Sequence, residues 1–228
     1  MKRFSKELAF IIAMFTNSLA ISLLVKSVFG VSTLSSLPLV LSDIFDSISF
    51  GMMNFMVQTV LLMILMAFTR QIKAAYIFSF VIGFIFGLMV DGFDLLMVYL
   101  PDLFLLRIIY FFTGWVLISF GAALFIKSMM PLMPFDAFVK DMALYFRVKV
   151  KLVKTISDLI FVSSAVILSL TFLGALVGVG VGTIFMAFFT GSLTQYFLDL
   201  LSKKYDFICL STIGEKLNAI AKIKTKQA

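Results

Sequence analysis

Histidine is absent from this chain of 228 residues, and cysteine occurs once, at Cys209. Without histidine the chain lacks the commonest general base and metal ligand. A lone cysteine excludes an internal disulfide and a thiolate metal cluster. No metal, no cofactor and no enzyme activity are therefore expected. Charge is scarce as well: 14% of the residues are Asp, Glu, Lys or Arg, against roughly 25% in a soluble domain. Proline is confined to Pro38, Pro101, Pro131 and Pro134, which leaves long stretches free to form uninterrupted helix.

What fills the chain is apolar. Hydrophobic residues make up 62% of it, with 28 Phe and 14 Met, more than a soluble fold of this length can hide from water. The apolar residues gather into six runs, approximately Leu8–Phe29, Phe50–Thr69, Ala74–Met97, Ile108–Met130, Thr155–Leu173 and Ala175–Leu201. Each is near the length of about 20 residues that a bilayer demands of a helix, and none alternates as a barrel strand would. An all-α polytopic membrane bundle of six transmembrane helices is expected. The first run has the charged start of a secretory signal, but it continues through Ile21 to Val25, so it reads as a retained helix.

Net charge is +7. The basic residues cluster at the ends of runs, which points to membrane topology and anionic lipid headgroups, with no nucleic acid partner. With the amino terminus in the cytoplasm, inner segments receive Lys2, Arg3, Lys6, Arg70, Lys73, the stretch Lys127 to Lys154 and the tail lysines. Outer segments receive only Lys26 and Arg107, together with Asp43, Asp46, Asp91, Asp94 and Asp102. Both termini are thus expected in the cytoplasm.

One stretch occurs twice. Lys26–Phe45 and Lys127–Phe146 each follow an apolar run, start with Lys-Ser, break at Gly or Pro, and resume as a short amphipathic segment. Leu23, Lys26, Ser27 and Phe45 match Leu124, Lys127, Ser128 and Phe146, and later Gly83, Ile85, Phe86 and Gly92 match Gly182, Ile184, Phe185 and Gly191. Residues 1–105 and 106–201 then form two three-span repeats, followed by a basic tail over 202–228. An odd number of spans per repeat inverts the second, an arrangement many secondary transporters use.

The six spans in two halves, the GVSTLSSLP turn with its LVLSDIF continuation, and the PFDAF partner resemble the YczE/YitT group of bacterial integral membrane proteins. The resemblance covers nearly all of residues 5–201. It implies a bacterial cytoplasmic-membrane protein and leaves the biochemical role open.

Ser32, Ser35 and Ser36 precede or open the first short helix, and Pro134 and Asp136 open the second. Should those ends tilt into the bundle, their free N–H groups offer an anion site reinforced by Lys26 and Lys127. The alternative is that both segments lie flat at the interface with the lysines snorkelling. Asp91 could pair with Arg107 as an outer gate. Asn54 and Gln58, four apart on one helix face, and Gln195 are polar positions within spans, suited to hydrogen bonds between helices or to a ligand. Asp158 lies four residues after Lys154, as a local ion pair would require. Gly83 with Gly87, and Gly174 with Gly178, have the spacing that lets helices approach closely.

These features favour a small-solute transporter or binding protein, with an anionic solute as one option. The other reading is a non-transporting accessory protein that docks a membrane partner through its basic face, including Ile213, Leu217 and Ile220 of the tail. A homo-oligomer fits either.

Overall fold

The computed structural model describes residues 2–71, 73–130 and 133–209. Among them the chain forms a helical bundle: α1 (Lys6–Ser27), α2 (Thr33–Ile44), α3 (Phe50–Thr69), α4 (Ala74–Met97), α5 (Phe104–Ser128), α6 (Pro134–Phe146), α7 (Val150–Leu168) and α8 (Val181–Lys204). Six of these, all but α2 and α6, are long and apolar enough to cross a membrane once α7 is taken with the π-helical turn Ser169–Leu173 that extends it. The protein is a multi-pass membrane protein. Outside the helices, β1 (Lys2–Ser5) pairs in parallel with β2 (Tyr205–Ile208), which brings both described ends of the chain to one side of the bundle. The tail positions Ile213, Leu217 and Ile220 lie outside the described residues.

The expected bounds of α3 and α4 hold, and those of the other four spans shift. The sixth helix starts at Val181, not Ala175, because Gly174 and Gly178 adopt positive φ (67° and 72°) in a loop. These two glycines are therefore a turn and not a helix-packing pair, which corrects that expectation. The other pair does pack helices: a Cβ on Gly87 would stand 2.7 Å from the Gly51 carbonyl oxygen, and one on Gly83 would stand 2.9 Å from Pro134 Cγ.

The Lys-Ser doublets build the same turn twice. At the end of α1 the Ser27 hydroxyl donates to the Leu24 carbonyl (2.6 Å) and accepts from the Phe29 amide (3.3 Å). At the end of α5 the Ser128 hydroxyl donates to the Phe125 carbonyl (2.8 Å) and accepts from the Met130 amide (3.4 Å). In each case the residue after the serine, Val28 or Met129, takes a left-handed conformation. For a β-branched valine that conformation is costly, and the serine bridges are what the chain gains there. The turn ends each long helix and folds the chain back on itself.

The fold-back sets the short helices inside the bundle. α6 starts with Pro134 against Gly83, the middle of α4, and ends near α4's beginning, where Tyr76 and Lys73 meet Asp141. Proline suits that start because its missing N–H would have had no helical partner. α2 starts with Thr33 bonded to Asp158, well inside α7, and runs alongside α7 until Leu39 meets Gly178. The loop before α2 is pinned by α8 and the loop that leads into it: Gly182 N–H donates to the Phe29 carbonyl (2.9 Å), Val31 N–H to the Gly178 carbonyl (3.0 Å), and the Thr183 hydroxyl to the Val31 carbonyl (2.8 Å). Gly30, at φ 111°, is the residue that lets the chain pass so close to α8.

At the centre α1 packs along α5, antiparallel. Around that pair, α4 packs on α1 as α8 packs on α5, and α6 packs on α3 as α2 packs on α7. The main apolar core, with Leu24, Val31, Phe86, Val90 and Phe111, lies between these layers. A second core joins Leu62 and Leu65 of α3 to Phe135 and Phe138 of α6 and Phe161 of α7.

Candidate functional site

The starts of α2 and α6 bring polar groups into this apolar interior. On α3, Asn54, Gln58, Leu62 and Leu65 form one buried stripe, and Leu62 and Leu65 pack against Phe135 and Phe138 in the opening turns of α6. Gln58, one turn before Leu62, is thereby at the level of α6's start. Its Nε2 donates to Asn54 Oδ1 at 3.3 Å, while its Oε1 has no donor, although the residue is only 3% exposed. A buried acceptor left unmatched costs about 1–3 kcal/mol.

At α2's start the Thr33 hydroxyl donates to Asp158 Oδ1 at 2.9 Å. The expected Lys154–Asp158 ion pair does not form. Lys154 is exposed, and so is Asp136, the acidic residue in the first turn of α6. The hydroxyls near α2's start are already committed: Ser32 and Ser35 bond each other (2.9 Å), and Ser36 donates to the Thr33 carbonyl (2.7 Å).

The remaining sequence candidates fall elsewhere. Lys26 pairs with Asp102 at 3.2 Å, and Arg107 Nε lies 3.7 Å from the same carboxylate. These three, with Asp94, line an open cavity of about 260 Å³ at one end of the bundle. Asp91 does not pair with Arg107; it accepts from the Ser49 hydroxyl (2.6 Å) and the Gly51 amide (2.7 Å), tying α3's start to α4. Lys127 is half-buried at the opposite end, with no ion pair among the described residues. Lys26 and Lys127 thus mark opposite ends of the bundle. Gln195 is exposed on α8 and donates to Asp199 (2.9 Å), its neighbour one turn on.

One group escaped the sequence reading. Asp141 of α6, 3% exposed, accepts from the Tyr76 hydroxyl (2.6 Å) and faces Lys73 Nζ at 3.5 Å. Its only sequence signal is an acidic residue on the apolar side of an amphipathic helix. At the far end of α2 the Asp43 carboxyl is pushed above its ordinary range, first by partial burial and then by Asp46.

The class these features define is a helical membrane protein with two short helices that begin in its interior. Over residues 4–199 the chain matches the model of DUF6198, a family of unknown function, and it belongs to that family. No curated protein and no solved structure matches it.

Proposed function

We propose that this protein transports a small polar solute, bound where α2 and α6 begin, and that it does so as two inverted three-span repeats rocking about the α1–α5 pair. The observation that carries the reading is the duplicated serine turn, which folds the chain back into the bundle once from each end. Supporting it are the matched packing of α4 on α1 and α8 on α5, and the unmatched Gln58 oxygen in the interior. Asn54, Gln58, Ser35, Ser36 and Asp136 then line the solute path. Asp91, Lys26 and Arg107 belong to the rim at one end.

The chain sits in the cytoplasmic membrane with both termini inside. Lys6, Arg70, Lys73, Lys127, Arg147, Lys149, Lys203 and Lys204 gather at the end that carries β1 and β2, while Lys26 and Arg107 stand at the other. The test is reconstitution of the full chain into liposomes, with uptake of a panel of small solutes measured against empty vesicles. Saturable uptake that is lost in Gly83→Leu, which blocks the seat of Pro134, supports transport. A chain that carries nothing yet co-purifies with a stable membrane partner would establish the accessory role instead.

A further inference from the structure

A helix that crosses a bilayer turns its amides and carboxylates away from lipid, and five of the six spans do so. Asn17, Asn54 and Gln58 are buried, and Glu7, Asp91, Asp94 and Asp158 are partly buried. α8 is the exception: Gln195 and Asp199 are both exposed. Both lie deep. The 24 residues of α8 rise about 36 Å, which puts Gln195 about 4 Å from the helix's middle and Asp199 about 10 Å. The hydrocarbon layer extends about 15 Å either side of its own middle. Both residues also face away from the rest of the chain. α8 packs on α5 through Gly182, Met186 and Leu201, and Gln195 follows Met186 by about two and a half turns, which sets it on the opposite face, with Asp199 one turn further. Of the six spans α8 is the least covered, 11% buried against 56% for α1. Gln195 Nε2 donates to Asp199 Oδ1 at 2.9 Å, which leaves the amide with a second N–H and its oxygen, and Asp199 has no ion pair among the described residues.

Lipid offers these groups no partners. We infer that a second copy of this chain covers them, α8 against α8, in a two-fold dimer. Copies inserted the same way into one membrane are related by an axis along its normal, so a residue on that axis meets its own counterpart. Phe188, Gln195 and Ser202, all exposed, recur at the seven-residue interval of a parallel helix seam. Gln195 suits the axis because its amide both donates and accepts: the free N–H of each copy bonds the Oε1 of the other. The charges match as well. Lys203, exposed, follows Asp199 by one turn, so two joined faces bring together two carboxylates and two ammonium groups with no net charge. The face thus supplies its own complement, and the inference stands apart from what the protein transports.

The test is cross-linking of the full chain in liposomes, at a lipid excess that makes chance encounters rare. In a Cys209→Ser background, Ser202→Cys should yield a disulfide-linked dimer on mild oxidation, while Leu200→Cys, exposed on another side of α8, should not. Adding Gln195→Leu with Asp199→Leu should abolish that cross-link and weaken dimerisation in detergent roughly tenfold or more, the loss expected when hydrogen bonds between spans are removed. Apolar side chains are at home in lipid, so the thermal midpoint of the monomer should be kept and loss of the dimer is not loss of the fold. A wild-type chain that is monomeric throughout, cross-linking at position 200 in preference to 202, or a dimer that ignores the paired leucine change would each overturn the inference. So would a cross-link in cells from position 202 to a different membrane protein in place of a second copy.

Discussion

Helices α1 to α4 and α5 to α8 follow the same order, long, short, long, long, yet their last pairs differ. α3 and α4 lie together along their length, while α7 and α8 barely touch. The reason is local. Gly51 and Gly87 have no side chains, so two backbones meet there, and Asp91 locks the contact by accepting from Ser49 and Gly51. In the alignment that sets Gly83 on Gly182, the counterpart of Gly87 is Met186 and that of Asp91 is Thr190. A methionine keeps the helices apart, and a threonine cannot draw in a facing amide as a carboxylate does. α8 packs on α5 instead, and its start is committed to the loop before α2. The first half is thus braced internally, and the second is braced across the molecule.

The largest way to break this contrast is Gly51→Leu, whose side chain would run into the Gly87 carbonyl. It should cost about 3 kcal/mol, the upper range of overpacking. Gly191→Leu, at an α8 site with nothing within 4 Å of a new Cβ, should stay within about 0.5 kcal/mol. Unfolding midpoints of the two variants in one detergent make the comparison direct. Next comes Asp141→Ala, which removes the carboxylate that the Tyr76 hydroxyl donates to. The expected loss is about 2 kcal/mol, mostly from the hydrogen bond, because the Lys73 side chain is 40% exposed and its ion pair is screened. Tyr76→Phe should reproduce about half of it. Thr33→Val, removing the bond that joins α2 to α7, should cost about 1 kcal/mol. Lys26→Gln should be smallest, below about 1 kcal/mol and shrinking as salt is added, since Asp102 is 57% exposed. A larger effect for Lys26 than for Thr33 would mean that the rim, not the interior, holds the halves together.

Apolar length made the bundle legible in the sequence, and the expected bounds of α3, between Ser49 and Arg70, and of α4, which starts after Lys73, coincide with the observed ones. It misplaced the start of α8 because Gly174–Gly180 is as apolar as a helix, and only backbone geometry shows the turn. The Lys-Ser doublets pointed to the fold-back, but through the lysines; the serines make the turn. Pairings across the bundle were the hardest to read. Asp158 looked satisfied by Lys154 one turn away, while its partner Thr33 is 125 residues distant in the chain. Asp91 looked matched to Arg107 by charge, yet a hydroxyl and a backbone amide claim it. Asp141 went unnoticed because an acidic residue in a short amphipathic helix reads as its wet face.

The fold-back of α2 and α6 from opposite ends of the bundle is the feature on which the proposed transport and the proposed orientation both depend. It is tested most directly in a Cys209→Ser background, with single cysteines at Ser47, beyond the end of α2, and at Arg147, beyond the end of α6. Labelling intact cells with a membrane-impermeant maleimide should modify the cysteine at position 47 and spare the one at 147 until the membrane is opened. Modification of both positions from the same side would contradict the account.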